Sequence, residues 1–148
     1  MERILDWNKY LDTAAKMVSE GIVMLKNENN ALPLDTDKEV AVFGRIQFHY
    51  YKSGTGSGGM VNVTKVVNIL DGLIDNGVKV NEKLLDIYRK WDKENPFDLG
   101  EGWGGEPWSQ KEMPLDEGLV KETAKSCETA IVIIGRTAGE EQDNRLEA

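Results

Sequence analysis

The sequence predicts an α/β fold: an open, mainly parallel sheet with helices on both faces, a three-layer sandwich of which this chain holds part. Two observations predict it. Short apolar runs at residues 40–44 and 129–135 have the unbroken character of strands buried on both faces, and they alternate with segments of helical period. Such alternation implies right-handed crossovers between parallel strands. A third observation makes the domain partial. Three strands are legible where a sheet typically has about five or six, and the sequence ends just past its best strand, where a covering helix belongs.

The elements follow in order. Leu11, Ala14, Ala15, Val18, Ile22 and Leu25 recur at spacings of three and four, which predicts a helix over residues 6–27 with one apolar stripe and Gly21 as its weak point. Residues 26–34 are rich in turn formers and carry Pro33, so a loop follows. Val40, Ala41, Val42 and Phe43 before Gly44 are the first strand. Residues 45–63 read as irregular and glycine-rich. Thr64 then caps a helix running to Asn76, with Val67, Leu70, Leu73 and Ile74 inward and Asn76-Gly77 as its stop. Val78-Lys79-Val80 is the second strand. Leu84, Leu85, Tyr88 and Trp91 share a face of a helix over 82–93. Residues 95–115, with prolines at 96, 107 and 114, form a long loop of the kind that is usually functional. A helix at 117–125 and the strand at 129–135 complete the order.

Composition narrows the function classes. The 148 residues include 18 Lys or Arg against 26 Asp or Glu, a net charge of −8, and the longest basic run is Arg89-Lys90. That balance repels phosphate backbones and anionic membranes, so neither nucleic acid nor membrane is expected as a partner. No stretch approaches the roughly 18 apolar residues of a membrane span, and the acidic N-terminus is unlike a signal peptide, so a cytoplasmic location is expected. One His and one Cys cannot build a zinc cluster, and Cys127 has no partner for an internal disulfide; no metal is expected.

Four features carry chemistry. Residues 54–59 satisfy the Gly-x-Gly-x-x-Gly spacing of a dinucleotide loop. That motif works by joining a strand directly to a helix N-terminus. Here residues 45–53 and 60–63 intervene on the two sides, so no cofactor is expected and the loop reads as flexible or substrate-bordering. His49 has no Gly-x-Ser-x-Gly nucleophile elbow to serve and reads as structural or exposed. Trp103 and Trp108 are either a platform for sugar rings or two anchors of a glycine-rich loop. Glu140, Glu141 and Asp143 follow the carboxyl end of the last strand, where open parallel sheets place ligands. They are either a solvated tail or a general acid, since a carboxyl in a partly closed cleft has its pKa raised.

Taken together, Lys26-Asn27-Glu28-Asn29-Asn30-Ala31-Leu32-Pro33-Leu34, the strand at 40–44, the Gly-Ser loop at 54–59 and the run from Ile131 to Gly139-Glu140 resemble glycoside hydrolase family 3 over about residues 18 to 145. This is the family of β-glucosidases, β-xylosidases and N-acetylglucosaminidases. The resemblance implies that residues 1–148 are the first part of the α/β sandwich domain of a retaining β-glycosidase acting on terminal β-linked sugars. It also implies that the barrel domain bearing the aspartate nucleophile lies outside this chain, which has neither a Ser-Asp-Trp nor a Lys-His pair. A chain beginning at this domain resembles members with reversed domain order, sandwich first. By position the general acid/base falls on Glu140, with Glu141 as the alternative. The family's Gly after the glutamate is Glu141 here, and its Asp-Arg pair is Asp143-Asn144. Trp103 and Trp108 become substrate-binding candidates for an oligosaccharide or glycoside. With one of the two carboxyls that such chemistry requires, the isolated fragment is expected to be inactive. A non-catalytic nucleotide- or carbohydrate-binding module is the alternative from another class.

Overall fold

In a computed structural model of the chain, residues 5–51, 55–137 and 140 are described. The chain divides into two compact units, Met1–Pro33 and Leu34–Ala148. The first contains helix α1, Trp7–Gly21, started by the Asp6 carboxylate accepting the Lys9 N–H at 3.1 Å. The helix stops at Gly21, six residues before the end its periodicity predicts. Glycine is a poor helix former, and the β-branched pair Ile22-Val23 that follows favours extended backbone. None of its residues is buried, and Leu11, Val18, Ile22 and Leu25 all stay exposed.

The second unit holds a three-stranded parallel sheet in the order β2-β1-β3. Strand β1 is Glu39–Phe43, β2 is Lys79–Val80 and β3 is Thr129–Val132. Val40 pairs with Val80 on one side and Thr129 on the other, and Phe43 pairs with Val132. Alternation along β1 sets the layers. Val40 and Val42 pack on one face with Leu70 of helix α2, Ile69–Asp75, together with Val78, Val80 and Leu85. Ala41 and Phe43 point to the other face, against Leu84 and Tyr88 of helix α3, Glu82–Glu94, with Met113 and Cys127. Helix α4, Glu117–Ser126, lends Leu119 to the same side. Helices therefore cover both faces of a small parallel sheet, the partial α/β sandwich that the alternation predicts.

Three further features differ from expectation. Helix α2 begins after Asn68 rather than Thr64, because the Asn68 side chain caps it by accepting the Asp71 N–H at 2.7 Å. Strand β3 ends at Val132 instead of 135 and lies at the edge, with Val132 68% and Ile134 81% exposed. A 3-10 turn at Arg45–Gln47 stands where irregular chain was read, and all three of its residues are buried.

Gly44 makes the exit from β1 possible. Its φ is +107°, and a Cβ there would lie 2.1 Å from the Ile133 carbonyl oxygen. Its N–H donates to the Tyr88 hydroxyl at 3.0 Å, and the buried phenol of Tyr88 has its pKa pushed up by loss of water. Gly44→Ala is therefore expected to destabilise the chain by at least about 1–3 kcal/mol from backbone strain, with the clash on Ile133 added. The shift of the urea midpoint reads this directly; a loss under about 0.5 kcal/mol would mean that the strand end relaxes freely.

Candidate active site

The carboxyl ends of β1 and β3 open onto the loops that carry the chemistry-bearing residues. Glu140, eight positions beyond the end of β3, is exposed, but its side chain is not loose. Its Oε2 accepts two hydrogen bonds from one residue of the Gly-Ser loop, the Ser57 N–H at 3.0 Å and the Ser57 hydroxyl at 2.8 Å. The loop is shaped for this. Gly56 has φ +77°, and a Cβ on it would stand 2.8 Å from the Glu140 Cβ and 2.9 Å from Oε2. Thr55 beside it is buried, and the turns Met60 N–H to Ser57 O (3.3 Å) and Val61 N–H to Gly58 O (3.4 Å) close the loop after it.

These contacts fix the sign of the electrostatics. The Ser57 backbone N–H, and then its hydroxyl, hold the Glu140 carboxyl below the usual carboxylate range, because both donors favour the charged form. The position after the strand predicts a partly closed cleft and an upward shift; in this chain the group is open to water and the shift runs down. Glu141, Asp143 and Arg145 lie outside the described residues.

The two tryptophans part company. Trp108 is half-buried, with the Arg136 guanidinium 5.0 Å over its ring and its carbonyl accepting the Thr137 N–H at 2.9 Å. It pins the segment that leads to Glu140. Trp103 is 56% exposed, next to Gly104, where an added Cβ would stand 3.9 Å from the Gly56 Cα.

His49 and Arg45 meet on Asp92 of α3. The Arg45 guanidinium, 1% exposed, donates to Asp92 Oδ1 at 2.8 Å and to the carbonyls of Asn95 and Lys111, and it lies over the rings of Trp91 and Phe97. His49 Nε2 stands 2.7 Å from the other Asp92 oxygen. His49 is thus part of a structural network, whereas Arg45 and Asp92 went unnoticed in the sequence because an arginine after a strand and an aspartate on a polar helix face ordinarily face water. Residues 48–51, 66, 97, 99 and 106 with Asn68 and Gly59 line a cleft of about 420 Å³ whose walls are largely aromatic. Among the described residues no group of three His, Cys, Asp or Glu side chains is arranged to hold a metal ion. No helix among them is long and apolar enough to cross a membrane.

Several known proteins resemble this chain in sequence and fold. Residues 22–147 match the glycosyl hydrolase family 3 C-terminal domain. The chain is 62% identical over 144 residues to a β-glucosidase of Ruminococcus albus, covering 97% of this chain and 15% of that protein. It is 31% identical to β-glucosidase A of Butyrivibrio fibrisolvens, covering 98% and 17%. Among solved structures, a β-glucosidase from Paenibacillus barengoltzii superposes with a TM-score of 0.87 at 52% identity, over 97% of this chain and 15% of that one. β-Glucosidase 3B from Thermotoga neapolitana in complex with glucose superposes at 0.79 and 28% identity, over 95% and 19%. The chain therefore spans less than a fifth of the length of these relatives. On the match over 22–147 and the identity to the Ruminococcus enzyme, the chain belongs to glycosyl hydrolase family 3.

Proposed function

We propose that this chain is the acid/base-bearing portion of a retaining β-glucosidase that hydrolyses terminal β-linked sugars, and that Glu140 is its general acid/base. The observation that carries the reading is the cradle around Glu140. A carboxylate in a polar tail ordinarily points into water, yet this one is received by two donors of a loop whose Gly56 leaves no room for a side chain. Retaining hydrolysis needs two carboxyls about 5–5.5 Å apart, and the second, a nucleophile, belongs to a barrel domain of the same protein outside these 148 residues. The isolated chain is then inactive.

The proposed reaction has two steps. The nucleophile attacks the anomeric carbon as the Glu140 proton passes to the leaving oxygen. Water then attacks the glycosyl ester while Glu140, now a carboxylate, takes its proton. For the first step Glu140 must hold a proton that Ser57 discourages it from holding. A second negative carboxylate a few ångströms away supplies the opposing push, since like charges raise the pKa of one partner. Once the nucleophile is esterified that push is gone, and Ser57 again favours the carboxylate that the second step requires. The β-glucosidase relatives suggest a glucoside as substrate. Hydrolysis by Glu140→Gln of glucosides with poor and good leaving groups tests the assignment.

A further inference from the structure

We propose that Ser57 is the positioning residue of the acid/base carboxyl: by giving both its N–H and its hydroxyl to the same oxygen of Glu140, it fixes the side chain and leaves Oε1 as the atom that delivers and collects the proton. The inference rests on the acid/base reading of Glu140 and adds a division of labour between its two oxygens.

The geometry is specific. Oε2 already accepts at 3.0 and 2.8 Å from one residue 83 positions away in sequence. A carboxylate has about four lone-pair sites, two per oxygen, so Oε2 is saturated by Ser57 and the acceptor capacity left lies on Oε1. Gly56 holds the other side of the clamp, because a Cβ at that position would occupy space within 2.9 Å of both the Glu140 Cβ and its Oε2. The charged groups on the neighbouring segments are Glu101 and Glu106, on either side of Gly104, and Arg136 ahead of Glu140. Arg136 is turned onto Trp108, and the causes acting on the Glu140 carboxyl are the two Ser57 donors against a small loss of water.

Both donors favour the charged form. Ser57 therefore keeps Glu140 deprotonated, at some cost in basicity, and opposes its protonation beforehand; what it gives the step in which Glu140 is a base is the fixed direction of Oε1. Removing the hydroxyl should weaken both the hold on the side chain and the preference for the charged form, with the backbone N–H left in place. Ser57 is exposed, so alanine fits without a cavity.

The test uses the full-length enzyme. Ser57→Ala should move the basic limb of the kcat/KM profile on an alkyl glucoside to higher pH, because that limb reports the protonated acid of the free enzyme. It should also slow hydrolysis of the glycosyl intermediate by about tenfold, the order of one hydrogen bond to a charged group. Ser57→Thr, which keeps the hydroxyl, should restore both. Gly56→Ala should reproduce the defect by displacing Glu140, and in a Glu140→Gln background Ser57→Ala should add little further loss. An unmoved basic limb in Ser57→Ala, or rate losses that multiply in the double variant, would overturn the proposal even where Glu140→Gln keeps its leaving-group signature. A Glu140→Gln variant without that signature would instead sink the acid/base reading itself.

Discussion

Glu140→Gln in the full-length enzyme should slow hydrolysis of alkyl or disaccharide glucosides by about 10² to 10⁴-fold, the range expected when general acid catalysis is lost. The size depends on the leaving group. An alkoxide is a poor leaving group and needs a proton as the glycosidic bond breaks, whereas an activated phenolate departs without one. Formation of the glycosyl intermediate from aryl glucosides should therefore suffer much less. Its breakdown should become slow, because water then lacks a base, and added azide should speed turnover by attacking without one. Glu141→Gln should leave both steps nearly intact. If Glu141→Gln carries the leaving-group dependence instead, the role belongs to the neighbouring residue; if neither variant does, this loop is not the acid/base.

How much of this was legible beforehand follows from what single-sequence patterns encode. The strands at 40–44, 78–80 and 129–135 are visible because apolar runs announce burial. Their order is not. The 129–135 run is the more apolar, yet β1 is central and β3 lies at the edge, where Val132 and Ile134 remain exposed. Composition measures how much a strand wants to be covered, whereas its neighbours are decided by the connections. One helix start, that of α2, moves by four residues because two polar residues compete to cap it, Thr64 and Asn68, and the cap that forms is the one whose side chain reaches an N–H of the first turn. At the site, Glu140 could be named from its motif, and residues 54–59 could be singled out as unusual. That Ser57 serves Glu140 was invisible, since a pair 83 residues apart leaves no periodic trace in one sequence.

The hidden network at Arg45 yields the second large effect. Asp92→Ala should destabilise the chain by about 3–5 kcal/mol, a large share of the roughly 5–15 kcal/mol that holds a domain together. With Asp92 gone, the guanidinium, only 1% exposed, keeps two backbone carbonyls and the faces of Trp91 and Phe97 but no counter-charge, and its Nε already has no partner. The carbonyls and rings offset part of the loss, as a cation over an aromatic face contributes about 0.5–2 kcal/mol. They do not neutralise it. Asp92→Asn, which keeps the shape and a carbonyl acceptor for Arg45, should cost less. Replacing both partners together, Arg45→Met with Asp92→Leu, should recover much of the stability, because the expensive state is a buried charge left alone rather than the absence of the pair. The consequence extends beyond stability. Through Asn95, Lys111 and the Arg45 N–H to Glu112 at 3.0 Å, this network ties both ends of the 95–115 loop to the turn after β1, and a Cβ added at Gly104 of that loop would stand 3.9 Å from the Gly56 Cα. Unfolding in urea followed by tryptophan fluorescence measures the first effect. A loss under about 1 kcal/mol for Asp92→Ala would mean that water reaches the guanidinium and that Asp92 is not what allows Arg45 to be buried.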